Sequence, residues 1–310
     1  MTGDTVKYFL DTLPIKPCGR VIALGLFDGM HKGHLDIIRT AVGLARLSDI
    51  TSTVQTFSGF NKRGDGEILS LEERLEILSD TGADEMLVLD FDEVKDMDYE
   101  SFEEDILLTR MNASCVVCGF DYTYGKGGKG STETLKAFCK SHDIGIKVIP
   151  ERKHQPDGMK ISSGWIKDLL REGNVELVSE LCGGRAFSYS GIVKEGKKLG
   201  RVLGFPTINV DIPEDKFLVR RGVYISRVKI GNEMFRGVTN IGLRPTVEDS
   251  VQDIAETHLI GTEGDLYGAR VKVELLRFLR PETKFSDVEE LKAMLAANKK
   301  QAEEFFSANV

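Results

Sequence analysis

The amino-terminal half of the chain alternates strand-length apolar runs with longer segments of helical periodicity. A chain satisfies that rhythm by laying parallel strands side by side beneath covering helices. Val21–Phe27 reads as a buried strand, and Leu35–Leu47 as a helix, because Leu35, Ile38, Val42 and Ala45 recur at helical spacing. Further strands are predicted at Thr51–Phe57, Glu85–Leu89, Cys115–Gly119 and Ile146–Ile149, with helices over Leu71–Thr81, Tyr99–Arg110 and Leu135–His142. Such a sheet binds ligands beyond the carboxyl ends of its strands.

Past Gly183-Gly184 the rhythm changes to short strands broken by turn residues: Phe187–Val193, Ile208–Val210, Gly222–Ile230, Phe235–Ile241, Ile254–Leu259 and Ala269–Phe278. This spacing predicts a small antiparallel barrel. A helix over Ser286–Phe305 follows, with Val288, Leu291, Met294, Leu295 and Ala302 as its packing stripe. The expected organisation is a Rossmann-like α/β domain over 1–182, then a small antiparallel β-barrel domain with a C-terminal helix over 183–310.

With 310 residues, 41% hydrophobic and 29% charged, the chain has enough apolar material for two cores. Its net charge of -8 argues against a nucleic-acid or anionic-membrane surface, because phosphate backbones attract clustered Lys and Arg. No charged-then-apolar export signal opens the chain, and Val21–Phe27 is too short to cross a bilayer, so a soluble cytoplasmic protein is expected. Five cysteines without a regular framework suit a reducing compartment. Cys115 and Cys118 form a CxxC, but residues three apart on a strand face opposite sides, so buried thiols are the expectation.

Two segments carry chemistry. Gly25-Leu26-Phe27-Asp28-Gly29-Met30-His31-Lys32-Gly33-His34 sits where the first strand hands over to the first helix. Unpaired N–H groups at a helix start point at an arriving anion, and the glycines admit phosphates closely. Taken alone, the His-x-Gly-His letters fit a solvated tight turn equally well. In the second segment, Gly204-Phe205-Pro206-Thr207-Ile208-Asn209, an extended chain projects Thr207 and Asn209 from one face, so their oxygens can converge on one hard cation. Glu256 and His258 likewise share a face of their strand, where pattern alone favours a solvent-facing acid and leaves the barrel mouth open as its location.

Both segments resemble known families. Gly-x-Phe-Asp-Gly-x-His-x-Gly-His is similar to the nucleotidyltransferase signature in the adenylyltransferase half of bacterial FAD synthetases. That resemblance implies catalytic roles for His31 and His34, and ATP or phosphate contacts for Gly25, Phe27, Asp28, Gly29 and Gly33. Gly119-Phe120-Asp121-Tyr122-Thr123-Tyr124-Gly125 resembles that family's second nucleotide loop, with Asp121 as its polar contact. Ile161-Ser162-Ser163-Gly164-Trp165-Ile166-Lys167 resembles its Ile-Ser-Ser-Thr-x-Ile-Arg motif, implying nucleotide contacts from Ser162, Ser163 and Lys167. Here Gly164 replaces a threonine, and Lys167 replaces an arginine and its planar fork. Phe57-Ser58-Gly59-Phe60-Asn61 stands where the family carries Phe-x-Pro-His-Pro; Phe57 remains, and the resemblance implies that it and Phe60 flank a flavin ring, whereas their residue type alone fits core packing. The glycine-rich stretch Gly125–Ser131 lacks the lysine of a Walker A loop and reads as a surface hairpin or a phosphate lid.

The run Gly196-x-x-x-Gly200-Arg201-x-Leu-Gly-Phe-Pro206-Thr207-x-Asn209, with Asn240-Ile-Gly-x-Arg244-Pro245-Thr246 and Glu256-x-His258, resembles the riboflavin kinase module. The resemblance implies Glu256 as catalytic base, and Gly196, Gly200, Arg201, Pro206, Thr207 and Asn209 as ATP contacts. It further implies Thr207 and Asn209 as Mg²⁺ ligands and a flavin seat at Arg280 and Phe285. The implied activity is ATP-dependent phosphorylation of riboflavin to FMN, followed by adenylylation of FMN to FAD. A riboflavin kinase with a degenerate first half, or a non-catalytic flavin carrier, are the alternative readings.

Overall fold

The computed structural model describes residues 6–12, 14, 19–60, 65–155, 157–195, 204–245, 251–262, 266–283 and 286–308. Contacts divide the chain into two compact units, Met1–Ser163 and Gly164–Val310.

In the first unit, β1 (Lys7–Leu10), β2 (Arg20–Leu24), β3 (Thr51–Ser58), β4 (Glu85–Asp90), β5 (Ala113–Gly119) and β6 (Gly145–Ile149) form one sheet in the order β1-β4-β3-β2-β5-β6. Every recorded pairing in it is parallel. Strand residues alternate between two cores. Val21 and Ala23 join Val54, Met86 and Val88 under helices α1 (Lys32–Leu47) and α2 (Leu71–Ser79). Ile22 and Leu24 join Leu87, Val116 and Cys118 against Phe102, Ile106, Leu135 and Phe138 on the other side. The chain builds β2, β3 and β4 outward, then returns to place β5 on the far side of β2. The loops after β2 and β5 therefore open into one crevice, where doubly wound sheets bind ligands.

The expected helix over Tyr99–Arg110 is α-helical only at α4 (Tyr99–Ser101) and continues as a π-helix over Phe102–Arg110. The wider turn places Phe102, Glu103, Ile106 and Leu107 together on the buried side, where Glu103 accepts the Tyr124 hydroxyl proton. Strand β1 and the short helix α3 (Phe91–Val94) carry no periodicity long enough to announce them. The glycine-rich hairpin ends on Ser131, which caps α5 (Thr132–Ser141).

The second unit opens with α6 (Ser163–Glu172) and α7 (Val175–Leu181). Six strands follow: β7 (Phe187–Ile192), β8 (Thr207–Asp211), β9 (Gly222–Ile230), β10 (Glu233–Pro245), β11 (Val251–Leu259) and β12 (Arg270–Arg280). They pair antiparallel in the order β7-β12-β9-β10-β11-β8, and a bridge between Lys194 and Asn209 draws the two edges together into a barrel. Gly191 makes that closure possible, since a Cβ there would come within 2.6 Å of Val210. The inner face carries Ile208, Val210, Tyr224, Thr239, Ala255 and Thr257; the C-terminal helix Val288–Ala308 covers the opposite face through Ala302 and Phe305. Val288, expected in the packing stripe, is the first residue of that helix and is 53% exposed.

Arg20 and Glu85 form a buried ion pair at 2.8 Å near the amino ends of β2 and β4, and Thr53 donates to the same carboxylate oxygen at 2.9 Å. Removing one partner leaves the other charge uncompensated. Arg20→Ala is expected to destabilise the first unit by about 3–5 kcal/mol, measured by denaturant unfolding of the full chain.

Candidate active sites

The crevice of the first unit is a cavity of about 590 Å³. Gly25, Phe27, His31, Gly33, His34, Phe57, Asp121, Ser162 and Ser163 all line it, joined by aromatic residues that the sequence reading did not single out, notably Phe91 and Tyr122. Its polar wall grows from the end of β2. Phe27 adopts φ 53° and folds its ring back over Gly25, where a Cβ would lie 2.9 Å from that ring. His31 caps α1, its Nδ1 accepting the His34 backbone N–H at 3.2 Å. That bond makes Nδ1 the acceptor and leaves Nε2 as the protonated donor of a neutral ring. The two imidazoles stack with centroids 3.7 Å apart.

Burial pushes the His31 pKa down to about 4, against an opposing pull from Asp121 and with an added push from Lys160. His34 is held well below its ordinary value, first by burial and then by His31 and Arg74. Both rings are neutral hydrogen-bonding groups at neutral pH. At the opposite wall, Phe57 and Phe60 each meet Phe91 edge-on, with centroids 5.7 and 4.8 Å apart. Lys160 pairs with Asp121 and lies 4.7 Å from the Phe120 ring centroid.

Asp28 and Gly29 are not on the cavity wall. The Asp28 carboxylate is buried and accepts the backbone N–H groups of Ile68 (2.8 Å) and Leu69 (3.3 Å), with Arg74 at 3.7 Å. Lys167 belongs to the second unit, where its ammonium lies 5.5 Å from the Phe217 ring centroid. Cys118 is buried with its thiol pKa pushed up to about 11, as expected of an inert thiol, and Cys115 is raised as well.

The second unit holds a cavity of about 230 Å³ between the sheet face and the C-terminal helix. Strand register builds it. Asn209, Glu256, Asn240, Val223 and Arg280 stand opposite one another on β8, β11, β10, β9 and β12, forming a single rung across five strands. Residues opposite one another share a face, so Glu256, Asn240, Val223 and Arg280 of this rung, with Thr207, His258 and Val238 of the rung beside it, make the cavity floor. Leu291, Leu295 and Asn298 of the helix close it from above. Thr207 donates to Glu256 Oε1 at 2.8 Å, and the His258 ring meets the Pro206 carbonyl through Nδ1 at 3.0 Å. Burial lowers the His258 pKa.

Asn209 is buried beside Glu256 on that rung but does not line the cavity. Register shifts in β12 at Leu275/Arg277 and Phe278/Arg280 turn Arg280 toward the cavity, where its Nη1 donates to the Thr283 hydroxyl at 3.3 Å. Glu282 reaches the wall across Gly242, where a Cβ would sit 2.2 Å from its carboxylate oxygen. The cavity that Thr207, Glu256, His258 and Arg280 line therefore lies on the helix-covered face of the sheet. Gly196, Gly200, Arg201 and Phe285 lie outside the described residues.

Residues 14–164 match the FAD synthetase family, and residues 183–306 match the riboflavin kinase family. A Bacillus subtilis protein named bifunctional riboflavin kinase/FMN adenylyltransferase is 33% identical over 93% of this chain and 92% of its own length. An Escherichia coli K12 protein of the same name is 31% identical over 93% of each chain. A crystal structure of a protein named a macrolide-efflux protein, from Streptococcus pneumoniae, superposes with a TM-score of 0.82 at 29% identity, covering 94% of this chain and 96% of that one. Among the described residues no helix is long and apolar enough to cross a membrane.

Protonation of His31 is linked to folding. Its imidazole binds a proton near pH 6.5 when unfolded and near pH 4 when folded, so falling pH favours the unfolded chain. Its contribution is complete above pH 6.5 and lost as pH falls toward about 4. Unfolding midpoints of the first unit across that window are expected to drop with pH, and more gradually in His31→Gln.

Proposed function

Because the chain belongs to the bifunctional riboflavin kinase/FMN adenylyltransferase family, transferases that phosphorylate riboflavin to FMN with ATP and adenylylate FMN to FAD, we propose that each reaction runs in its own cavity, adenylyl transfer in the first unit and phosphorylation in the second. Matches to both families along one chain favour two activities over a kinase with a degenerate first half. The kinase domain is taken to begin at residue 183, where its family match begins.

In adenylyl transfer an oxygen of the FMN phosphate attacks the α-phosphorus of ATP, and pyrophosphate leaves. The chain's task is placement and charge stabilisation. His31 and His34 donate neutral N–H bonds to phosphate oxygens at the start of α1, with Gly25 and Gly33 leaving room for them. Ser162, Ser163 and Asp121 hold the rest of the nucleotide, and Phe57 flanks the flavin ring. The observation that carries this assignment is the meeting of the stacked histidines and an aromatic wall in one cavity.

In the kinase site Glu256 accepts the proton of the ribityl 5′-hydroxyl as its oxygen attacks the γ-phosphorus and ADP leaves. Arg280 orients the flavin. Thr207 and Asn209, two positions apart on one face of β8, offer a hydroxyl and an amide oxygen, hard donors of the kind Mg²⁺ takes. When bound, the ion supplies charge neutralisation along the phosphates. With a net charge of -8 and cysteines suited to a reducing compartment, the protein is assigned to the cytoplasm, acting on small molecules and not on nucleic acid or membrane.

Asn209→Ala is expected to abolish FMN formation while leaving FAD synthesis from supplied FMN largely intact; equal loss of both would contradict separate sites. The double variant His31→Ala/His34→Ala should do the reverse. Chelation of divalent cations by EDTA should stop riboflavin phosphorylation and restore it on adding Mg²⁺; phosphorylation that persists in EDTA would remove the metal assignment.

A further inference from the structure

Arg74 has no solvent exposure, and its guanidinium gathers several separate stretches of chain. Nη1 lies 3.0 Å from the Thr56 hydroxyl, 3.1 Å from the Phe57 carbonyl and 3.5 Å from the Leu26 carbonyl. Nε donates to the Leu69 carbonyl at 3.2 Å. Nη2 donates to Glu67 at 2.6 Å and stands 3.7 Å from Asp28. Thr56 itself donates to the Leu26 carbonyl at 2.6 Å. Leu26 and Asp28 flank Phe27 in the loop that leads to His31 and His34, whereas Phe57 belongs to the aromatic wall of the same cavity. One buried cation thus ties the histidine wall to the aromatic wall.

We propose that Arg74 is a positioning residue for adenylyl transfer, setting the spacing between the wall that holds the phosphates and the wall that holds the flavin. The inference rests on assigning that reaction to this cavity. Its planar fork is required, because donors fixed in a plane reach Thr56, Phe57, Leu69 and Glu67 at once, while a lysine keeps the charge and loses the geometry. Misplacement of about 1 Å between reacting groups costs on the order of a hundredfold in rate.

The test compares Arg74→Lys with Arg20→Lys, which alters an equally buried guanidinium near the amino ends of the same strands, remote from the cavity. FAD formation from supplied FMN, riboflavin phosphorylation and thermal unfolding are measured on the full chain. Arg74→Lys is expected to lower kcat for FAD formation by at least about tenfold at saturating substrates, with riboflavin phosphorylation unchanged. Arg20→Lys should keep FAD formation within about twofold, even where its unfolding temperature falls as far. An equal kinetic loss in both variants, or none in Arg74→Lys, overturns the proposal. Should Arg74→Lys fail to fold, Asp28→Asn decides: a fall in kcat at preserved unfolding temperature supports it, and unchanged kinetics overturn it. A wild-type chain that makes no FAD from FMN would instead overturn the assignment of the reaction.

Discussion

Two buried guanidiniums fix the ends of the central parallel strands, and one of them, Arg74, stands directly behind the first cavity. Arg20 meets Glu85 and Thr53 near the amino ends; Arg74 meets Glu67, Thr56 and the Asp28 loop near the carboxyl ends. A cation taken out of water costs several kcal/mol unless oxygens surround it, so each arginine imposes a geometry on the chain that supplies those oxygens. At the carboxyl ends that chain is the loop that carries Leu26 and Asp28 and leads to His31. The stacked histidines are consequently presented by a loop whose backbone is held from behind, and electrostatic stabilisation of a transferring group works best when donors need not reorganise.

The second site depends on register instead of buried charge. Glu256 stands between Asn209 and Asn240 because three strands pair in one alignment, and a slip of a single residue would turn it to the inner face beside Tyr224 and Thr239. The inner face resists such a slip: Ser226, Thr239 and Thr257 are fully buried and satisfy one another, with hydroxyl distances of 2.7 and 2.8 Å. A shifted strand would strand those hydroxyls in an apolar core.

What the sequence made legible is what periodicity and local chemistry encode. The alternation of Val21–Phe27 with the Leu35, Ile38, Val42, Ala45 stripe reports which face is buried, and the strands and helices follow from it. Thr207 and Asn209 share a face for the same local reason. Long-range pairing leaves no such trace. Arg74 lies on α2 among Leu71, Leu75 and Leu78 and reads as a solvated charge until Asp28, distant in sequence, is folded against it. Asp28 reads as a phosphate contact because the motif surrounds it, although its carboxylate is taken up by Ile68 and Leu69. The second cavity faces the C-terminal helix because strand pairing, not composition, decides which side of a curled sheet is covered.

On the proposed assignment, the two cavities differ in electrostatic design because their nucleophiles differ. A phosphate monoester is already ionised at neutral pH, so adenylyl transfer needs donors for the developing charge and no base. Neutral imidazoles answer that need: a ring whose pKa is near 4 neither removes the nucleophile's charge nor competes for a proton. A ribityl hydroxyl holds its proton through the physiological range, so phosphorylation needs an acceptor beside the attacking oxygen, and on the proposed assignment that acceptor is Glu256, whose carboxylate takes the Thr207 hydroxyl hydrogen bond at 2.8 Å. The order of the reactions follows the same logic. Phosphorylation converts a nucleophile that must be activated into one that need only be placed, and the two cavities, as assigned, suit those two states in turn.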